Sequence, residues 1–203
     1  MEKLEPAFGT IHPQAGLDEA GRGCLAGPVF AAAVILPQEL PTELSSHLND
    51  SKKLSEQQRE TLRLLIEHHA LAFSVAMATH EEIDRINILQ ASFLAMHRAL
   101  DTLSVVPDLL LIDGNRFLPY KKIQHSCIIK GDGKYLSIAA ASILAKTWRD
   151  QFMMKAHEEF PQYGWNKNKG YPTRMHKEAI ARHGFSPLHR KSFNSGLQLK
   201  LPV

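Results

Sequence analysis

Residues 29–36 read Val-Phe-Ala-Ala-Ala-Val-Ile-Leu without a polar position, the pattern of a strand covered on both faces inside a sheet. Ser55 and Gln58 then stand at capping-box spacing, and Leu62, Leu65 and Ile66 recur on one helical face, which predicts a helix over about 55–68. Phe73, Val75 and Met77 alternate with Ser74 and Ala76 as in a strand. Thr79 and Glu82 repeat the capping-box spacing ahead of a helical pattern carried by Leu89, Phe93, Met96, Leu100 and Leu103. Two short apolar runs follow, Leu-Leu-Leu-Ile at 109–112 and Ser-Cys-Ile-Ile at 126–129, each cut off by an Asp-Gly or Gly-Asp step. Both read as buried strands ending at a sheet edge. Tyr135 opens a stretch of Ala, Ser, Ile and Leu running to Lys146, a helix whose small side chains let it lie close on a sheet. Pro161, Gly164, Gly170 and Pro172 punctuate a loop, and a short helix is expected over 176–182 with Gly184 at its C-terminal cap. The succession implies one α/β domain over 1–160, with a mainly helical C-terminal appendage over 161–203 packed on it.

Composition narrows the class. The 203 residues are 44% hydrophobic and 22% charged, an ordinary globular balance that excludes general disorder. A net charge of +3 is compatible with a nucleic-acid partner, and Lys, Arg and His gather around Tyr and Phe in the last forty or so residues. Cys24 and Cys127 have no partner at metal-binding spacing and read as reduced, buried thiols. The N-terminal residues lack the pattern of a signal peptide, and the longest apolar run is too short to span a bilayer. The expectation is a cytosolic protein with no membrane association.

The chemistry begins at Gly16-Leu-Asp-Glu-Ala-Gly-Arg-Gly23. Adjacent strand residues face opposite ways, so Asp18 and Glu19 serve one site only where the strand ends and the backbone turns. Gly21 and Gly23 supply such a turn, exposing main-chain N–H groups, and Arg22 adds a positive fork suited to phosphate. A nucleotide-binding P-loop would end in Lys-Ser/Thr and open into a helix; here Cys24-Leu-Ala-Gly-Pro28 follows. The other reading of this segment is a solvated turn capped by its acids. Asp113 ends one apolar run, and Asp132 follows the next, just before a helix. Singly, either is a turn or cap residue. As a set, Asp18, Glu19, Asp113 and Asp132 can converge at strand ends, where ligand sites of open α/β sheets gather. Carboxylates ~4 Å apart repel by about 4 kcal/mol at an effective dielectric near 20, so protons or divalent cations must relieve them. Oxygen ligands with room for water favour Mg²⁺ or Mn²⁺, and paired metals suit phosphodiester hydrolysis. A nuclease is the natural reading.

Taken together, these stretches closely resemble the ribonuclease HII family, the type 2 ribonucleases H. Besides the segments around the four acids, the matching residues include Leu48-Asn-Asp-Ser-Lys-Lys-Leu-Ser55, Ile86-Asn-Ile-Leu89, Ser137-Ile-Ala-Ala-Ala-Ser-Ile-Leu-Ala-Lys146, Lys169-Gly-Tyr-Pro-Thr173 and His189-Arg-Lys-Ser-Phe193, in family order. The resemblance implies a ribonuclease H-like mixed sheet flanked by helices. It implies a metal-dependent endonuclease that cuts RNA in RNA–DNA hybrids and cuts 5′ of a single ribonucleotide in duplex DNA, leaving 3′-hydroxyl and 5′-phosphate ends. By motif, Asp18, Glu19, Asp113 and Asp132 would hold Mg²⁺ or Mn²⁺. Gly21, Arg22 and Gly23 would sense the 2′-hydroxyl through main-chain contacts, and Tyr171 would pack against the nucleotide beside the junction. Cys24 stands where many members carry proline, and Gly133 where a small residue such as Ala or Ser is usual. Lys52, Lys53, Lys169 and Arg190 are candidate phosphate contacts, with a solvated basic loop as the alternative for each. None of the eleven histidines is assigned to catalysis. The expected working unit is a monomer. A non-catalytic nucleic-acid binder, or an integrase or junction resolvase, would compete; Mg²⁺-dependent turnover and a demand for ribose separate them.

Overall fold

The computed structural model describes residues 4–48 and 54–194. Five strands form one mixed sheet in the order β3-β2-β1-β4-β5. They are β1 (Gln14–Ala20), β2 (Val29–Ile35), β3 (Ala72–Ala78), β4 (Leu109–Asp113) and β5 (Gln124–Ile128). The first three pair antiparallel, whereas β4 runs parallel to β1 and β5 parallel to β4. All seven residues of β2 are buried, as its unbroken apolar run predicts. Ala31, Ala33 and Ile35 pack in a core with α3 (His80–Asp101), while Ala32 and Val34 pack with α4 (Leu136–Glu159), α1 (Thr42–His47) and α2 (Glu56–His69). Both predicted capping boxes form: Ser55 and Gln58 close α2, and Thr79 and Glu82 close α3.

The same two-residue alternation sorts β1 and β4. Ala15, Leu17, Leu110 and Ile112 face the α3 core, which leaves Gly16, Asp18, Leu111 and Asp113 on the α4 side. A Cβ on Gly16 would lie 2.2 Å from the Ser137 carbonyl carbon, so only glycine lets the start of α4 cross β1 at this distance. The stretch of small residues in α4 is therefore read correctly as a close-packing surface.

The structure departs from the periodicity in four places. The β5 strand is half exposed, because it is the sheet edge and only β4 covers it; consequently Cys127, expected to be buried, is exposed. Asn87 breaks α3 with φ 66° and ψ 164°, and its Oδ1 accepts the amides of Leu89 and Gln90 to restart the helix. The α4 helix continues well past Lys146, and Arg149 and Asp150, polar in sequence, are buried along it. A single turn, α5 (Trp165–Asn168), stands where a loop is expected. No helix among the described residues is long and apolar enough to cross a membrane.

The C-terminal segments pack on the far half of α4 through Met153, Ala156, Tyr163, Trp165, Ala179 and Ile180. At their centre two fully buried histidines meet, His176 Nε2 and His189 Nε2 3.1 Å apart. His176 Nδ1 donates to the Tyr171 carbonyl, and His189 Nδ1 accepts the Ser186 amide, so both rings are neutral with their tautomers set by the network. Burial lowers both pKa values, that of His189 to about 4. A depressed folded-state pKa means that this contribution to stability is complete above the unfolded histidine value near 6.5 and is lost as pH falls toward 4. The free energy of unfolding measured in denaturant should therefore fall by roughly 1 to 3 kcal/mol between about pH 7 and about pH 4 from this pair. An unfolding free energy equal in the parent and in His189→Gln at both pH values would refute the assignment.

Candidate active site

Parallel pairing brings the first two acids together. Leu17 sits opposite Ile112, the last pair between β1 and β4, so the next residues, Asp18 and Asp113, emerge side by side on the α4 face as the strands part. Neighbouring strands lie about 4.8 Å apart, too near for two unrelieved carboxylates. The third acid arrives from beyond β5. Lys130 takes a left-handed conformation at φ 57°, the chain closes a single turn over Gly131–Gly133, and the Gly131 amide donates to Asp113 Oδ1 at 2.7 Å. Asp132 is thereby buried beside the strand ends. Ligand oxygens of Asp18, Asp113 and Asp132 all lie within 4.8 Å of one another.

Burial, with repulsion from Glu19 and Asp113, holds the Asp18 carboxyl well above the usual carboxylate range; hydrogen bonds from Ser142 and the Glu19 amide offset part of that. A divalent cation among the three would remove the repulsion and favour the ionised form. The donor set is all oxygen, which suits a hard divalent cation. Asp18 and Asp113 open on a cavity of about 250 Å³ lined also by Glu19, the 20–23 segment, Ser142, Lys146 and Tyr171, with Asp132 buried behind them. Lys146 Nζ is held 2.9 Å from the buried Asp150, which leaves an anchored cation on the rim of an acidic pocket.

Glu19 belongs to the same cavity but not to the three-carboxylate cluster. It follows Asp18 directly at the end of β1, and its carboxylate meets Arg22 at 3.0 Å. In the turn beyond, Gly21 and Cys24 are buried at the root while Arg22 and Gly23 are exposed at the crown. Gly21 has φ +97°, a value few side chains tolerate. The carbonyls of Gly21 and Arg22 both accept from the buried Arg190 guanidinium. Because a trans peptide sets N–H opposite C=O, the amides of Arg22 and Gly23 point away from Arg190, toward the open side. Tyr171 stands across the cavity, 39% exposed.

The basic candidates are distributed differently. Arg190, expected on a phosphate-facing surface, is 1% exposed and spends its donors on the carbonyls of Gly21, Arg22, Gly27 and Pro28. Charge is visible in a sequence, but its direction is not. Lys169 is likewise buried, its Nζ bonded to the Asn166 carbonyl and 3.3 Å from Glu56 rather than lining the cavity. Lys52 and Lys53 lie outside the described residues. Ser142 and Lys146, both inside the motif quoted from α4, received no role from sequence although both line the cavity. Their spacing of four, which puts them on one face of the helix, was the available signal.

The sequence pattern described as Ribonuclease HII matches residues 15–195. Over 181 residues the chain is 66% identical to a protein named Ribonuclease HII from Bacteroides thetaiotaomicron, covering 89% of each chain. It is 56% identical over 190 residues to the protein of that name from Porphyromonas gingivalis, covering 94% of this chain and 93% of the relative. Among solved structures, ribonuclease H2 from Pyrococcus horikoshii OT3 superimposes with a TM-score of 0.75 at 27% identity, covering 90% of this chain and 94% of the other.

Proposed function

The chain belongs to the ribonuclease HII family, and on that premise we propose that it cuts duplex DNA on the 5′ side of a single embedded ribonucleotide, leaving 3′-hydroxyl and 5′-phosphate ends. The coarser activity follows from membership: this is an endoribonuclease acting on the RNA of RNA–DNA hybrids. The observation that supports the finer reading is that Asp18 and Asp113, two of the three clustered carboxylates, line one small cavity together with the 21–23 turn.

Asp18, Asp113 and Asp132 would hold the divalent cation, with Glu19 completing the set from the strand end. Such a cation supplies a more acidic water and neutralises charge on the transferring phosphate. The remaining work is done by the chain. The amides of Arg22 and Gly23 are suited to donate to a ribose 2′-hydroxyl, the group that separates RNA from DNA. Tyr171, opposite the turn, offers a ring against which the adjoining nucleotide packs. Lys146 is placed to face the phosphate without being released by solvent, since Asp150 holds it. The ribonucleotide is thus read by its sugar rather than its base, and no sequence preference is expected. The working unit is the single chain.

Incubation of a duplex carrying one ribonucleotide with Mg²⁺ or Mn²⁺, followed by end mapping, tests the reading. One cut 5′ of the ribonucleotide is expected, and none in an all-DNA duplex. Tyr171→Ala should lower that rate roughly tenfold, the loss of about one stacking contact, while moving the melting temperature little because the ring is partly exposed. Equal cleavage of the all-DNA duplex would turn the assignment toward a resolvase-like enzyme.

A further inference from the structure

Two arginines are sunk beneath the turn. Arg149 on α4 and Arg190 are each 1% exposed, and among the described residues neither makes an ion pair. Arg149 Nε donates to the Pro28 carbonyl at 3.1 Å, Nη1 to Lys169 at 2.9 Å and Nη2 to Ala26 at 3.2 Å. Arg190 takes the carbonyls of Gly21, Arg22, Gly27 and Pro28. Burying a guanidinium without a carboxylate is expensive, and two side by side repel as well. An apolar residue in either space would leave those carbonyls without donors. What only a planar fork of N–H groups can do is tie carbonyls of several segments at fixed angles.

The segments tied are telling. Arg149 joins the 26–28 stretch, which continues the turn, to Lys169, two residues before Tyr171. Its guanidinium carbon also lies 5.8 Å from the centre of the Tyr171 ring. A Cβ on Gly21 would lie 2.0 Å from its Nε, so the turn root rests directly on it. The backbone bond from the Leu25 amide to the Gly170 carbonyl, 2.8 Å, runs alongside.

We propose that Arg149 is a positioning residue for ribonucleotide discrimination: it locks the sugar-facing turn and the Tyr171 ring into one rigid unit, with Arg190 aiming the turn amides outward. The proposal rests on the reading that the 21–23 turn and Tyr171 meet the ribonucleotide. Loss of the lock leaves the carboxylates in place but lets the two recognition elements move separately, so the transition state suffers more than substrate or metal binding.

The test is Arg149→Lys, which keeps the charge and loses the fork, assayed on a duplex with one ribonucleotide. With R149K we expect kcat to fall roughly ten- to a hundredfold, the range for losing charge-assisted hydrogen bonds, with KM and Mn²⁺ affinity within about threefold of the parent. The losses from R149K and Y171A should be far from multiplicative in the double variant, because both act through one unit. A folded R149K protein with parental kcat, or multiplicative losses, overturns the proposal. Should R149K not fold, hydrogen exchange of the unaltered protein decides: the amides of Leu25 and Tyr171, bonded to the Gly170 and Asn168 carbonyls, should open together, and protection differing by more than about tenfold overturns the lock. Failure of the unaltered protein to cut the ribonucleotide duplex would instead overturn the underlying reading of the site, and this inference with it.

Discussion

Asp113→Asn is expected to lower cleavage by roughly a thousandfold or more, the scale of losing a metal centre and its charge stabilisation, while making the metal-free protein more stable. The asparagine oxygen still accepts the Gly131 amide that Asp113 now binds at 2.7 Å, so the turn carrying Asp132 stays in place. What disappears is one of the negative charges that raise the Asp18 pKa. Relief of that repulsion should be worth about 1 kcal/mol. Cation binding then tells the other half of the story. A ligand at a hundred times its dissociation constant stabilises the folded state by about 2.7 kcal/mol, and the rise in melting temperature on adding Mn²⁺ should be present in the parent and nearly absent in the variant. Undiminished cleavage by D113N would remove Asp113 from the metal site, whatever the thermal data.

Gly21→Ala should be a severely damaging change for the addition of a single methyl group at the turn. The residue sits at φ +97°, where a side chain costs roughly 1 to 3 kcal/mol in backbone strain. The new Cβ would also meet Arg149 Nε at 2.0 Å, and that guanidinium cannot retreat without giving up carbonyls on three residues. A total near 3 kcal/mol of lost stability is expected, from strain and overpacking together. In the fraction that folds, cleavage at a single ribonucleotide should fall at least tenfold while Mn²⁺ still raises the melting temperature, because Asp18 and Asp113 are held by the pairing of β1 with β4 and not by the turn. Differential scanning fluorimetry and the end-mapping assay measure the two effects separately. Parental stability in G21A would mean that the root of the turn is not braced by Arg149.

Residues whose pattern is a local matter were legible in the sequence. The apolar run of β2, the boxes at Ser55 and Thr79, and the small-residue face of α4 each follow from short-range rules, and each is present. The acids Asp113 and Asp132 drew attention because they close apolar runs, and the topology brings them beside Asp18. What stayed hidden depends on neighbours distant along the chain. The exposure of β5 and Cys127 follows from an edge position that no local pattern records. The break at Asn87 hides inside a continuous helical periodicity. Arg190 and Lys169 were visible as charges, but only the fold shows them turned inward to carbonyls. Arg149 was the least visible, a basic residue on a helix that sequence treats as ordinary.

The order of the sheet bears on how the enzyme comes into being. The β1 strand is made early, yet its parallel neighbour is β4, ninety or so residues later in the chain, and the helix that crosses at Gly16 follows later still. A chain emerging from the ribosome in sequence order therefore carries Asp18 through the synthesis of the ninety or so residues between β1 and β4 with neither Asp113 nor Asp132 beside it. On the proposed assignment of the metal site, hydrolytic power would arrive only with the later segments, and a chain ending before β4 should leave RNA–DNA hybrids uncut.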